Sequence, residues 1–238
     1  MRRTRQKSLF PYKTLLRKYR LALEDKELLL QKGEAFGDRD LRKLIAKFIY
    51  ESKGISCSFE QIVIASGTED LLGKLVLFLN DFKYIYIENP GYPNIYQLAQ
   101  RLDKKIIPVE IDEEGLKTRR LKERALCFVT PRHQFPLAVS LSKERRKKLI
   151  SWADRTKSYI IEDDYDSEFK YKSKPLPSLF SMSNKVIYIS GLTKTISPSL
   201  RFAYMVLPKA LLGAYKNMFG QSSCPVSSLD QRMLSLLI

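Results

Sequence analysis

The feature that most constrains this chain is a series of short apolar runs spaced along its length. Ile62-Val63-Ile64-Ala65 and Tyr84-Ile85-Tyr86-Ile87-Glu88 are two of them, and others cover 105–111, 125–130, 158–162, 185–189 and 203–207. Each is rich in β-branched or aromatic residues and has the length of a buried strand. Between them lie helical patterns. Residues 12–30 are rich in Leu, Lys and Arg and predict a helix ending before Gly33. Asp38 can cap a second helix, with Leu41, Leu44, Ile45, Phe48 and Ile49 at helical spacing. Further helices are predicted from the Thr68 region through Leu79, from near Pro93, from Leu141 to Thr156, and from Lys209 onward with a break around Gly220 to Pro225. Strands alternating with helices predict an α/β fold: a mostly parallel, mixed sheet covered on both faces, hence three α/β/α layers. No internal repeat or low-complexity linker interrupts it.

Ligands in such sheets gather at the carboxyl ends of the strands. The polar residues worth attention lie there. Gly67 follows one strand, Tyr92 the next, Gln134 another, Asp163 another and Lys194 the last. Lys194 stands in Thr193-Lys194-Thr195-Ile196-Ser197-Pro198-Ser199-Leu200-Arg201, directly after the run 185–189. A lysine amine can form an imine with an aldehyde once it is made nucleophilic. Arg201 can grip a phosphate with paired N–H groups. Asp163, within Glu162-Asp163-Asp164, can keep a pyridine nitrogen protonated, and Tyr165 can hydrogen-bond a ring oxygen. Side chains alternate along a strand, so only one face of that acidic triplet can look at a ligand. Ser66-Gly67-Thr68, at a strand-to-helix junction, outlines a phosphate site, although a plain helix cap reads equally well. Tyr92 can stack on an aromatic ring, with ordinary core packing as the alternative. These are the parts needed to hold pyridoxal 5′-phosphate. His133-Gln134-Phe135-Pro136 is a turn with polar groups near the expected ring edge, and no acid–base role is read into His133.

Composition bounds the rest. The chain has 238 residues, 44% hydrophobic and 29% charged, enough for one sizeable core. No apolar run approaches the roughly 18–20 residues of a membrane span. The basic start Met1-Arg2-Arg3-Thr4-Arg5-Gln6-Lys7 is not followed by the apolar core of a secretory signal. Cys57, Cys127 and Cys224 are widely separated and His133 is the sole histidine, so no zinc-type ligand cluster is encoded. A reducing cytoplasm is the expected compartment. The net charge of +16 is unusual and points to an anionic partner. It is spread through amphipathic helices such as Ser142-Lys143-Glu144-Arg145-Arg146-Lys147-Lys148, which reads as a solubilising surface, with a nucleic-acid surface as the alternative.

Taken together, these residues resemble the aminotransferase-like domain of MocR-type regulators of the GntR family, within the fold-type I, class I/II pyridoxal-phosphate-dependent aminotransferases. The resemblance covers nearly the whole chain. Leu9-Phe10-Pro11 resembles the motif that opens that domain, and Gly33 to Arg42 is similar in spacing to its glycine-rich stretch. Asn89-Pro90-Gly91-Tyr92-Pro93 resembles its Pro-Gly-Tyr turn, whose tyrosine stacks on the cofactor. Thr130 to Pro136 and Ile161 to Phe169 are close to family signatures. The resemblance implies an internal aldimine at Lys194, phosphate contact from Arg201, pyridine contact from Asp163 and ring-oxygen contact from Tyr165, and Ser66, Gly67, Thr68, Tyr92 and Thr193 complete the expected cofactor-binding set. It implies an amino acid or other small amine as substrate or effector, and a homodimer. Three departures stand out. Leu137-Ala138 replace the usual Thr-Gly, Gly191 replaces a hydroxyl residue, and Lys32 replaces an aromatic.

The expected organisation is an N-terminal helical segment, 1–32, followed by the large cofactor domain, 33–238. The family's winged-helix DNA-binding domain has no counterpart in the short basic start, so DNA contact is expected only through a domain absent from this chain. The family's C-terminal small domain, with its arginine for the substrate carboxylate, lies beyond Leu236-Leu237-Ile238, which reads as a truncation point. The chain alone is accordingly expected to be a poor transaminase. The functional expectations are a pyridoxal-phosphate-binding aminotransferase-like protein, an effector-sensing domain of a regulator, or a non-functional remnant.

Overall fold

Among the described residues, eight strands form the middle layer. They are β1 (Ile62–Ala65), β2 (Tyr84–Asn89), β3 (Lys105–Asp112), β4 (Gly115–Leu116), β5 (Ala125–Val129), β6 (Tyr159–Asp163), β7 (Val186–Ser190) and β8 (Ala203–Val206). The computed structural model describes residues 11–30, 32–165, 176–191 and 199–238. The strand order is β1-β8-β7-β6-β5-β2-β3-β4. Strands β3, β2, β5, β6 and β7 run parallel. Strand β8 is antiparallel to both β7 and β1, so β1 points the same way as β7. The carboxyl ends of β1, β2, β5, β6 and β7, together with the start of β8, therefore share one edge of the molecule. The expected α/β, mostly parallel mixed sheet is what forms.

Side-chain alternation builds the two flanking layers. On one face Val63, Ala65, Ile85, Ile87, Phe128, Ile161 and Ile189 pack against α4 (Thr68–Phe78), α5 (Pro93–Arg101) and Tyr215 of a later helix. On the other face Ile62, Ile64, Tyr188 and Tyr204 meet Ile45 and Ile49 of α3 (Arg39–Lys53). Farther along that face Tyr86, Cys127, Ile160 and Val186 meet Leu149, Trp152 and Ala153 of α6 (Lys143–Thr156). The remaining helices among the described residues are α1 (Tyr12–Leu23), α2 (Lys26–Leu30), α7 (Leu212–Phe219), which carries Tyr215, and α8 (Ser228–Ser235). Helix α1 buries Leu15 and Ala22 in the same cluster as Ile45 and Ile62, and the Tyr19 hydroxyl donates to Asp230 Oδ1 of α8 at 2.7 Å.

Most boundaries follow local chemistry. Asp38 caps α3, its Oδ1 accepting from the Leu41 amide at 2.8 Å, as its sequence position predicted. Ser142 and Ser227 cap α6 and α8 in the same way. The single helix expected over 12–30 is instead two. Asp25 accepts from the Leu28 amide at 3.2 Å and restarts the helix as α2, so a side-chain cap interrupts a continuous helical pattern. Strand β4 was not expected, because two residues carry no readable alternation.

A buried polar cluster joins α3 to the ends of β6 and β7. Lys53 Nζ lies 3.3 Å from Asp164 Oδ2, 2.8 Å from the Tyr188 hydroxyl and 3.2 Å from Ser190 Oγ. Tyr188 donates to Asp164 Oδ2 at 2.5 Å, and Ser190 Oγ donates to the Asp164 carbonyl at 2.9 Å. The Lys53 and Asp164 side chains are only 3% and 1% exposed, so neither charge can fall back on water. Removing one partner of such a pair strands the other. Lys53→Met is expected to lower stability by about 3–5 kcal/mol, read as a fall in the urea midpoint; an unchanged midpoint would show that Asp164 is satisfied without Lys53.

Candidate functional site

The shared strand edge collects most of the residues singled out in the sequence. The register of β1 with β8 pairs Ala65 with Ala203, so two residues outward Gly67 stands opposite Arg201. The side chains agree with the register. A Cβ placed on Gly67 would lie 3.2 Å from Arg201 Nη2 and 3.5 Å from its Cζ and Nε. The guanidinium therefore rests against the bare Cα of Gly67, which is held at φ 105°, a conformation that a side chain would resist. Arg201 is exposed and forms no ion pair among the described residues. Gly67 precedes α4, and the amides of Gly67 and Thr68 donate to no acceptor among the described residues. The Ser66 amide differs: it donates to Asp70 Oδ2 at 3.2 Å, and Lys74 bonds the same oxygen. A guanidinium and two uncommitted amides thus surround a glycine that leaves room for close approach, which is a cradle suited to a phosphate.

The acidic triplet divides by face. Glu162 is consumed on the α6 side, where its carboxylate accepts from Ser178 Oγ at 2.6 Å and from the amides of Leu179 and Phe180. Asp164 is held in the Lys53 cluster. Asp163, the last residue of β6, lies on the other face with Ile161 and is 8% exposed. It sits within electrostatic reach of Tyr92, which caps the start of α5. Burial raises the Tyr92 phenol above its ordinary pKa, the charges of Glu69 and Asp163 push it further, and Arg201 opposes them. Tyr92, Asp163 and Arg201 are thereby brought together, with Glu69 beside them. Glu69 accepts from Asn94 Nδ2. Tyr165 follows Asp163 by two residues, and its hydroxyl donates to the His133 carbonyl at 2.9 Å. Thr193 and Lys194 lie outside the described residues.

Two turns frame the site. Gln134 is 2% exposed, and its Nε2 donates to the Pro90 carbonyl at 2.7 Å while its Oε1 accepts from the Leu137 amide at 3.2 Å. It rivets the 133–138 turn to Asn89-Pro90-Gly91. A Cβ at Gly91 would collide with the Glu88 carbonyl, which explains the glycine before Tyr92. Sequence reasoning missed Glu88. It is buried at the end of β2, and its Oε2 accepts from Thr130 Oγ1 at 2.5 Å and from the Thr130 amide at 3.1 Å. Burial pushes its carboxyl up to about 7, against the Thr130 and Gln134 hydrogen bonds, which pull it down. Among the described residues no group of His, Cys, Asp and Glu could hold a metal ion.

Comparison with known proteins places this geometry in context. The family described as Aminotransferase class I and II matches residues 10–235. An uncharacterized HTH-type transcriptional regulator, YdeL of Bacillus subtilis, is 40% identical over 188 residues, covering 77% of this chain and 41% of that protein. The probable rhizopine catabolism regulatory protein MocR of Rhizobium meliloti is 31% identical, covering 84% of this chain and 41% of its own length. Among solved structures, LysN, an α-aminoadipate aminotransferase of Thermus thermophilus complexed with N-(5′-phosphopyridoxyl)-L-leucine, superposes with a TM-score of 0.83 at 26% identity, covering 97% of this chain and 61% of that one. An archaeal alanine:glyoxylate aminotransferase has the same fold, with a TM-score of 0.87 at 24% identity. The chain spans about two fifths of these regulators and three fifths of these enzymes.

Two predictions follow from the frame of the site. Glu88 has a folded pKa raised from 4.5 to about 7, so the folded state holds a proton that the unfolded state releases between those values. Its contribution to stability is complete below about pH 4.5 and is lost as the pH rises through 7. Relative to Glu88→Gln, the parent should lose on the order of 1–3 kcal/mol between pH 5 and 8; parallel stability–pH curves from chemical unfolding would contradict this. Ala138 stands at φ 58° where the resembling family carries glycine. Ala138→Gly should stabilise the chain by up to about 1 kcal/mol, and a lowered thermal midpoint would show that the turn needs the methyl group.

Proposed function

The chain belongs to the aminotransferase class I and II family, and we propose that it binds pyridoxal 5′-phosphate at the shared strand edge and receives there the amine of an amino acid or another small amine. The observation that carries this reading is the Arg201 guanidinium lying against Gly67 beside two uncommitted amides. That arrangement fits the phosphate. The buried Asp163 carboxylate fits a protonated pyridine nitrogen, with the Tyr92 ring beside it for stacking. When bound, the cofactor supplies an electron sink for the carbon next to the substrate amine.

The chain's own residues have separable tasks. Arg201 and the amides of Gly67 and Thr68 would fix one end of the cofactor through charge-assisted hydrogen bonds, and the Ser66 and Thr193 hydroxyls would add to its binding. Asp163 would hold the proton on the pyridine nitrogen. Tyr165 would hydrogen-bond the ring oxygen, accepting there while its proton stays directed at the His133 carbonyl or turning that proton to the ring oxygen instead. Lys194 would be the covalent anchor, and its amine the base that removes the proton from the substrate α-carbon.

A second reading rests on the relatives named HTH-type regulators. In it the same site senses an amine, and a winged-helix segment of a longer protein contacts DNA. A homodimer in the cytoplasm is proposed in both readings; no helix of the described residues is long and apolar enough to cross a membrane. Rapid turnover of an amino acid by this chain would favour the enzyme, and binding without turnover would favour the sensor.

The cofactor proposal is tested by titration. Pyridoxal phosphate added to the purified chain should produce a visible absorbance band, and borohydride should fix the cofactor to Lys194. Lys194→Ala should remove that adduct. Arg201→Ala should weaken binding about tenfold or more, since a charge-assisted hydrogen bond contributes about 1.5–3 kcal/mol. Overlapping titrations of Arg201→Ala and the parent, or an adduct on another lysine, would refute the assignment.

A further inference from the structure

A second concave region lies away from the strand edge, between the Thr118–Arg120 turn and the outer side of α6. It has a volume of about 940 Å³ and is open to solvent. Arg119 and Lys122 line it from the turn, and Lys147, Lys148 and Arg155 line it from α6. All five are exposed, and none forms an ion pair among the described residues. Arg145, at the same cleft, behaves differently. It bonds Asp112 Oδ2 at 2.7 Å and the Leu116 carbonyl at 2.7 Å, so it builds the wall instead of facing a ligand. The cleft therefore gathers positive charge that no described carboxylate pairs, from two segments of the chain, and mutual repulsion makes an anion the natural occupant.

Trp152 supplies an independent observation. It lines the same cleft, is 2% exposed, and its indole Nε1 is buried without a hydrogen-bond partner. Its ring is held edge-on to Tyr86 at 5.7 Å, which fixes the orientation of the donor. Buried donors in folded proteins nearly always have an acceptor. An unsatisfied N–H beside five unpaired cations is the pattern left when the acceptor is an anionic ligand.

We propose that this cleft binds the phosphodiester backbone of nucleic acid. Five cations drawn from two segments of the chain can each meet a different phosphate of a polyanion, whereas one compact anion could reach only a few of them. The net charge of +16 supplies the long-range attraction. Backbone contacts of this kind position a protein on nucleic acid without reading its sequence. The proposal is independent of the cofactor reading, since the cleft shares no residue with the Gly67–Arg201 site.

The test uses the whole chain. Trp152 is the sole tryptophan, so its emission reports occupancy of the cleft directly. Titration with a mixed-sequence DNA duplex at low salt should change that emission and saturate. Binding should weaken steeply with salt, and the triple variant Lys122→Glu, Lys147→Glu, Arg155→Glu should bind at least about tenfold more weakly with a log–log salt slope flattened by about two to three. A control triple, Lys13→Glu, Arg17→Glu, Arg20→Glu, makes the same charge change on the exposed side of α1 and should weaken binding less than about threefold on the same reasoning. The milder set Lys122→Gln, Lys147→Gln, Arg155→Gln should keep the ranking if the reversed charges disturb folding. Equal losses from the cleft and control variants would reduce the effect to net charge and overturn the proposal. So would an emission change saturated by inorganic phosphate or pyrophosphate at matched ionic strength but not by the duplex, which would assign the cleft to a small phosphate ligand. Absence of any duplex binding at low salt would also overturn it.

Discussion

The antiparallel pairing of β1 with β8 is the constraint on which the site depends. It joins residues about 140 positions apart in the chain and sets Ala65 against Ala203. That single register puts Gly67 under the Arg201 guanidinium. A slip of one residue would turn every side chain of β8 to the other face and remove the arginine from the glycine. The pairing is secured by burial: all four residues of each strand are buried, and the alternate side chains enter two different clusters. Function at this edge is therefore written partly in Val63, Met205 and their neighbours, which never approach a ligand.

The same economy governs the acids. Three consecutive carboxylates end β6, and three together facing one ligand would repel each other. The fold separates them. Glu162 is satisfied by Ser178 and two amides, Asp164 by Lys53 and Tyr188, and Asp163 lies on the opposite face with Ile161. The two outer acids anchor the strand end so that the middle one has a fixed place. Lys53 thereby ties the end of α3 to Asp164 and Ser190 at the ends of β6 and β7.

Much of the fold was legible because its strands are short, apolar and punctuated. The runs at 62–65 and 84–88 are strands as read, and Asp38 is a cap as read. Local pattern could not show that Asp25 would break the first helix, since Glu24 and Asp25 do not disturb its apolar spacing. Nor could it choose within Glu162-Asp163-Asp164, because the choice depends on what packs against each face. Glu88 was invisible for a related reason. A single acid at a strand end looks like a solvated one until Thr130, 42 positions later, closes over it. The basic cleft was hidden by distribution: its cations come from two segments, and only tertiary structure separates those paired with carboxylates, such as Arg145, from those that are not.

The central claim is that the Gly67–Arg201 edge is a phosphate cradle for pyridoxal 5′-phosphate. A crystal structure of the chain grown with the cofactor tests it most directly. The account predicts phosphate oxygens at about 2.7–3.1 Å from Arg201 and from the amides of Gly67 and Thr68, with Asp163 against the pyridine nitrogen. A bound cofactor whose phosphate lies away from Arg201, with Asp163 turned from the ring, would contradict it.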